Sequence, residues 1–105
     1  MRPLRHPKVE DLRPDAILHA LSDPWRAAVA RRVWEAGPVE AGVALGKTGG
    51  RPVPKSSLSR HMTILREAGL ISCERHGVRM HIRSRRTEVD DRFPGLLAAV
   101  FDAYS

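Results

Sequence analysis

The chain has one cysteine, Cys73, in 105 residues, so no intramolecular disulfide can form, and a reducing compartment is the expected setting. Aromatic residues are scarce at 5%, which points to an aliphatic, mostly helical core rather than a β-sandwich. No apolar run approaches the roughly 20 residues that a membrane span needs, so no membrane partner is expected. The opening MRPLRHPKVEDLRP is polar and broken by proline, without the apolar stretch of a secretory signal, which makes a cytoplasmic location the expectation. The five histidines and single cysteine show no metal-ligand spacing, so neither a metal nor a cofactor is expected. The run GVALGKT at Gly42–Thr48 is one residue short of a phosphate-binding loop and has no apolar strand before it. Glu88, Asp90 and Asp91 lie in a polar stretch that reads as a solvated helix start. With no nucleophile–base pairing either, the chain is not expected to be an enzyme.

What is present is a basic surplus of 18 Lys and Arg over 12 Asp and Glu, a net charge of +6 that suits a polyanionic partner. The length supports one domain over residues 1–105, with residues 1–9 expected to fray. Leu12, Ile17, Leu18 and Leu21 fall at helical spacing between Glu10 and Ser22. Asp23-Pro24 then offers an N-cap followed by proline at the first helical position. The helix after it should stop at Gly37, with Trp25, Ala28, Val29, Val33 and Ala36 on its buried face and Arg26, Arg31 and Arg32 on the other. Val39–Leu45 reads as a short helix of small residues, and Gly46–Pro54 as a flexible loop.

From Lys55 a further helix places Leu58, Met62 and Leu65 on one face, closed by Gly69 as a left-handed terminus with Leu70 packing back. Ile71 and Cys73, then Val78, Met80 and Ile82, alternate with polar residues on either side of a His76-Gly77 turn, the pattern of a hairpin with one buried and one basic face. Phe93-Pro94-Gly95 breaks the chain before a final amphipathic helix. Its apolar residues Leu96, Leu97, Val100, Phe101 and Tyr104, together with Ile17, Leu18 and Leu21, are expected to form a dimer interface, since a small core leaves little room for another helix. Cys73, on the buried phase of its strand, reads as an inert core thiol.

A helix with hydroxyl and basic side chains in its first turns, followed by a basic hairpin, is suited to DNA. One α-helix fits the major groove and its early side chains reach the base edges. Serine donates or accepts at close approach, and arginine grips guanine or a phosphate through two bonds. The candidate DNA-binding residues of this helix are therefore Ser56, Ser57, Ser59, Arg60 and Thr63, with Lys55 suited to a phosphate and His61 either to a phosphate or to packing against the helix base. Lys47 and Arg51 in the loop and Arg75, His76 and Arg79 near the hairpin tip suit phosphates.

The segments ALSDPWR (Ala20–Arg26), SSLSRHMTILREAGLI (Ser56–Ile71) and ERHGVRMHIR (Glu74–Arg83) resemble the ArsR-type winged-helix repressors of bacteria. The resemblance spans roughly residues 13–104. It implies a mostly α (α+β) winged helix-turn-helix with a two-stranded β-hairpin wing and terminal dimerisation helices. It also implies a homodimer that binds double-stranded DNA at a pseudo-palindromic operator, as a repressor released by an effector. The paired-cysteine metal motif of many relatives is missing here, and Leu96–Tyr104 holds no histidine, which leaves an unidentified small-molecule effector, oxidation of Cys73 or a partner protein as the open routes of release. The rival reading is a winged-helix protein–protein interaction module without specific DNA binding.

Overall fold

The computed structural model describes residues 5–40 and 55–105, and only the backbone of Lys55 and Ser56. A 3₁₀ turn at Val9–Asp11 leads into α1 (Pro14–Leu21) and α2 (Pro24–Ala36), then a short strand β1 (Val39–Glu40). After the undescribed stretch come α3 (Lys55–Glu67), β2 (Ile71–His76), β3 (Arg79–Ser84), α4 (Arg86–Arg92) and α5 (Leu96–Ala103). This is a mostly helical α+β fold of winged-helix type, with α3 packed on α1 and α2 and the β2–β3 hairpin following it.

Local sequence accounts for most element boundaries. The helix expected over Glu10–Ser22 is divided, because Pro14 forces Arg13 into an extended conformation (φ −125°, ψ 133°) and then starts α1 itself. Asp23 caps α2 as expected, its carboxylate accepting from the Arg26 N–H at 3.0 Å. At the end of α3 the Leu70 N–H bonds the Leu65 carbonyl (3.1 Å) and the Gly69 N–H bonds that of Arg66 (3.0 Å). This paired closure requires the left-handed φ of +86° that Gly69 adopts.

Ile17, Leu21, Val29, Val33, Leu65, Ile71, Ile82 and Val89 fill the fully buried core. The sheet is three-stranded and antiparallel in the order β1-β3-β2, so the expected two-stranded wing gains a strand at its base. That corrects the helix expected from Val39: Val39 pairs with Ile82 and Glu40 with His81. Residues 41–54, which carry the rest of that expected helix, the glycine-rich loop with Lys47 and Arg51, and GVALGKT, lie outside the described residues.

Two further expectations are corrected. Residues 5–8 do not fray but strap α3 to the edge of β2. The Arg5 carbonyl accepts from Arg66 Nε (3.0 Å), His6 Nε2 accepts from the Cys73 N–H (3.0 Å), and Leu12 is buried beyond them. Val78 is not on a buried strand face. The two-residue loop is Gly77-Val78, closing between His76 and Arg79, and Val78 stands fully exposed at the tip. With positive φ at Gly77 alone, the loop has the backbone of a type II′ turn. The polar stretch after β3 does start a helix, as expected; this is α4, anchored by Arg85, whose nearly buried guanidinium bonds Glu88 at 2.6 and 3.2 Å. That bonding holds the Glu88 carboxyl below its usual range against the opposing effect of desolvation.

The terminal helix also departs from expectation. Ile17, Leu21, Leu97 and Phe101, expected at a dimer interface, are buried in the chain's own core. Phe101 lies under Trp34 (ring centroids 5.2 Å), the Tyr104 hydroxyl donates to the Leu21 carbonyl, and Arg31 reaches Ser105 Oγ at 2.8 Å. The apolar face of α5 finds its partners within the chain, the Trp34 ring of α2 and the terminal carbonyl of α1, and so closes the chain's own core. Leu18 and Tyr104 remain exposed and Leu96 and Val100 half-buried. With Leu21 and Ala103, all of these but Leu96 line an apolar cleft of about 330 Å³ between α1 and α5.

Candidate nucleic-acid interface

Leu65 faces the core and Leu58 and Met62 are half-buried beside it, so α3 turns its opposite side outward. Ser59 and Arg60 are exposed there, with Thr63 half-buried between them around the helix and Ser57 half-buried on the side toward His61. The side chains of Lys55 and Ser56, and all of Arg51, lie outside the described residues. Arg60 makes no ion pair or side-chain hydrogen bond among the described residues, which leaves five N–H donors open. No helix of the described residues is long and apolar enough to cross a membrane.

His61 behaves differently from its neighbours. It sits about 60° around the helix from Leu58, at the margin of the buried face. There its ring lies against Trp25 (centroids 5.0 Å, planes 34° apart), and its Nδ1 is 3.0 Å from Arg26 Nη1. Arg26 itself is only 7% exposed, which corrects its expected place on the outer side of α2. Its Nε donates to the Ala20 carbonyl (2.7 Å) and its Nη2 to that of His19 (3.2 Å). Those carbonyls belong to the last turn of α1, where partial negative charge collects, and that of His19 also accepts from the Ser22 N–H (3.2 Å) and Oγ (2.6 Å). A buried charge is tolerated where it is hydrogen-bonded on every side. Sequence spacing gives no sign of this, since the partners come from α1 and α3.

On the wing, strand alternation separates two groups. Arg75 lies on the same face as Ile71 and Cys73 but beyond the core, exposed and without a partner among the described residues. The opposite face carries Ser72, Glu74 and His76 on β2 and Arg79, His81 and Arg83 on β3, in direct register. There the charges partly offset one another. Arg79 stands 3.9 Å from Glu40, and His76 lies 3.5 Å from Glu74 with its ring 4.4 Å from that of His81. Among the described residues, the hairpin therefore offers Arg75 and Arg83 as unpaired cations, whereas Arg79 is already in weak contact with a carboxylate. Sequence alternation marks Arg83 only as solvent-facing; its freedom from partners appears once strand register is known.

Cys73 pairs with Ile82 in the sheet and is buried; desolvation pushes its thiol up from the ordinary value, with the nearby Arg66 charge opposing weakly. A raised thiol holds little thiolate at neutral pH. Alkylation of the native protein should therefore be at least about tenfold slower than in urea, and should accelerate with rising pH. Equal rates in the two states would show that the strand edge opens readily.

No protein-family model matches the chain, and no curated protein matches it significantly. The geometry of α3 and the wing therefore carries the functional argument by itself.

Proposed function

We propose that the protein is a sequence-specific, double-stranded-DNA-binding transcriptional regulator, working as a homodimeric repressor on a pseudo-palindromic operator. The observation that carries this reading is the outward side of α3. Ser59 and Arg60 project there from a helix whose other side is fixed in the core, with Arg60 unpaired among the described residues and an adjoining hairpin bringing Arg75 and Arg83. In this reading α3 enters the major groove, Arg60 reads a base, and the wing follows the phosphates.

Dimerisation is assigned to the cleft between α1 and α5, through Leu18, Val100 and Tyr104. A two-fold axis there would relate two α3 helices, as an inverted repeat demands. An effector that alters this contact would alter the spacing of the two helices.

Selection of sites from a random duplex pool, with the purified protein at near-physiological salt, tests the proposal. The expected product is an inverted repeat with half-sites about one helical turn apart. Absence of enrichment, with only weak and salt-sensitive binding to any duplex, would overturn it in favour of a protein–protein interaction module.

A further inference from the structure

Arginine has donors only, whereas a neutral imidazole has one donor and one acceptor nitrogen. With Arg26 Nη1 at 3.0 Å, Nδ1 of His61 must be the acceptor, and the ring proton resides on Nε2. Arg26 has little freedom to retreat, because two carbonyls of α1 hold the same guanidinium and Trp25 flanks the ring it serves. His61 Nε2 takes no hydrogen bond among the described residues and is not an enclosed atom, so its N–H is open to a ligand. The charged and titratable groups at this junction are Arg26 and Asp23 on the first turn of α2, His19 on α1, and Arg60 beside His61. Of these, Arg26 alone bonds the ring.

We propose that Arg26 is a positioning residue for DNA binding: it fixes His61 as the Nε2–H tautomer and aims that donor at a DNA phosphate oxygen. This rests on the reading of α3 as a groove-binding helix. The choice of phosphate over base follows from position. His61 lies at the margin of the helix beside its buried face, whereas Arg60 occupies the outward side, and a helix in the major groove meets the sugar–phosphate walls at its margins. The contact is then sequence-independent, made by a neutral donor. It also ties the seating of α3 on DNA to the end of α1, the helix that borders the apolar cleft.

Two measurements test this. Long-range ¹⁵N–¹H correlation spectra of the histidine-labelled, DNA-free protein at neutral pH should show His61 as neutral Nε2–H. In Arg26→Lys, which keeps the charge but not the planar fork, they should show a mixture of tautomers. A wild-type ring that is protonated at Nδ1, or already mixed, overturns the proposal whether or not the protein binds DNA.

The second measurement is affinity for a mixed-sequence duplex at low salt. His61→Gln, which places an amide N–H₂ near the Nε2 position, should bind like wild type, and His61→Asn, which cannot reach it, should bind roughly three- to tenfold more weakly. Equal affinities for the two variants overturn the phosphate contact. Failure of the wild-type protein to bind any duplex overturns the functional reading instead, and the spectra distinguish the two failures.

Discussion

Replacement of Gly69 by alanine should destabilise the protein by about 3 kcal/mol, through two separate causes. A left-handed backbone of φ +86° sets the alanine Cβ against the neighbouring carbonyl, worth about 1–2 kcal/mol. The added Cβ would also lie 2.1 Å from Leu12 Cδ2 and 3.3 Å from Pro7 Cγ. Leu12 is buried and cannot swing away, so the N-terminal strap must shift as a unit, an overpacking cost of about 1–3 kcal/mol. For a domain of this size the combined effect lowers Tm by roughly 12–24 °C. Gly77 provides the control. Its φ is +67°, but a Cβ added there would meet nothing within 4 Å, so Gly77→Ala should show the backbone cost alone. Leu12→Ala in the Gly69→Ala background should cost less than the sum of the single changes, because it removes the atom that collides. Additive losses would show that the strap does not seat on Gly69.

Arg60→Ala should leave folding intact and weaken binding to the selected operator by about 1–3 kcal/mol, roughly five- to 150-fold. The side chain is exposed and has no intramolecular partner among the described residues, so its removal leaves nothing unsatisfied there. The loss should fall on specific DNA more than on random duplex, relaxing preference at one base pair of each half-site. Titrations on both duplexes, with thermal melts as the folding control, separate the cases. An equal loss on both would place Arg60 on the backbone rather than on a base. An unchanged affinity for the operator would remove α3 from the groove.

Much of the local structure is legible in residue order because the signals act within a turn or two of chain. Asp23-Pro24 caps α2 through the N–H three residues on, and Gly69-Leu70 closes α3 on carbonyls three and five positions back. Alternation around Cys73 and Ile82 identifies the buried face of the hairpin as far as Met80. It fails at Val78, where turn geometry, not periodicity, determines exposure. Of the candidate DNA contacts, Ser59, Arg60 and Arg75 stand exposed as expected, while Arg79 meets Glu40 from a strand that periodicity could not reveal in two residues.

By itself the sequence determined the order of the main elements, the inward side of α3 and the hydroxyl and basic composition of its outward side, because helical and strand periods project directly onto faces. Tertiary structure alone decided the fate of α5, whose Leu97 and Phe101 were equally suited to a partner subunit or to their own core. The Trp34 ring of α2 and the Leu21 carbonyl of α1, which meet it within the same chain, settled that choice. It likewise decided that Arg26, charged and expected on the same outer side as Arg31 and Arg32, is buried. Burial of a guanidinium depends on acceptors arriving from elsewhere, here two carbonyls of α1 and one imidazole of α3, and no local pattern encodes that meeting.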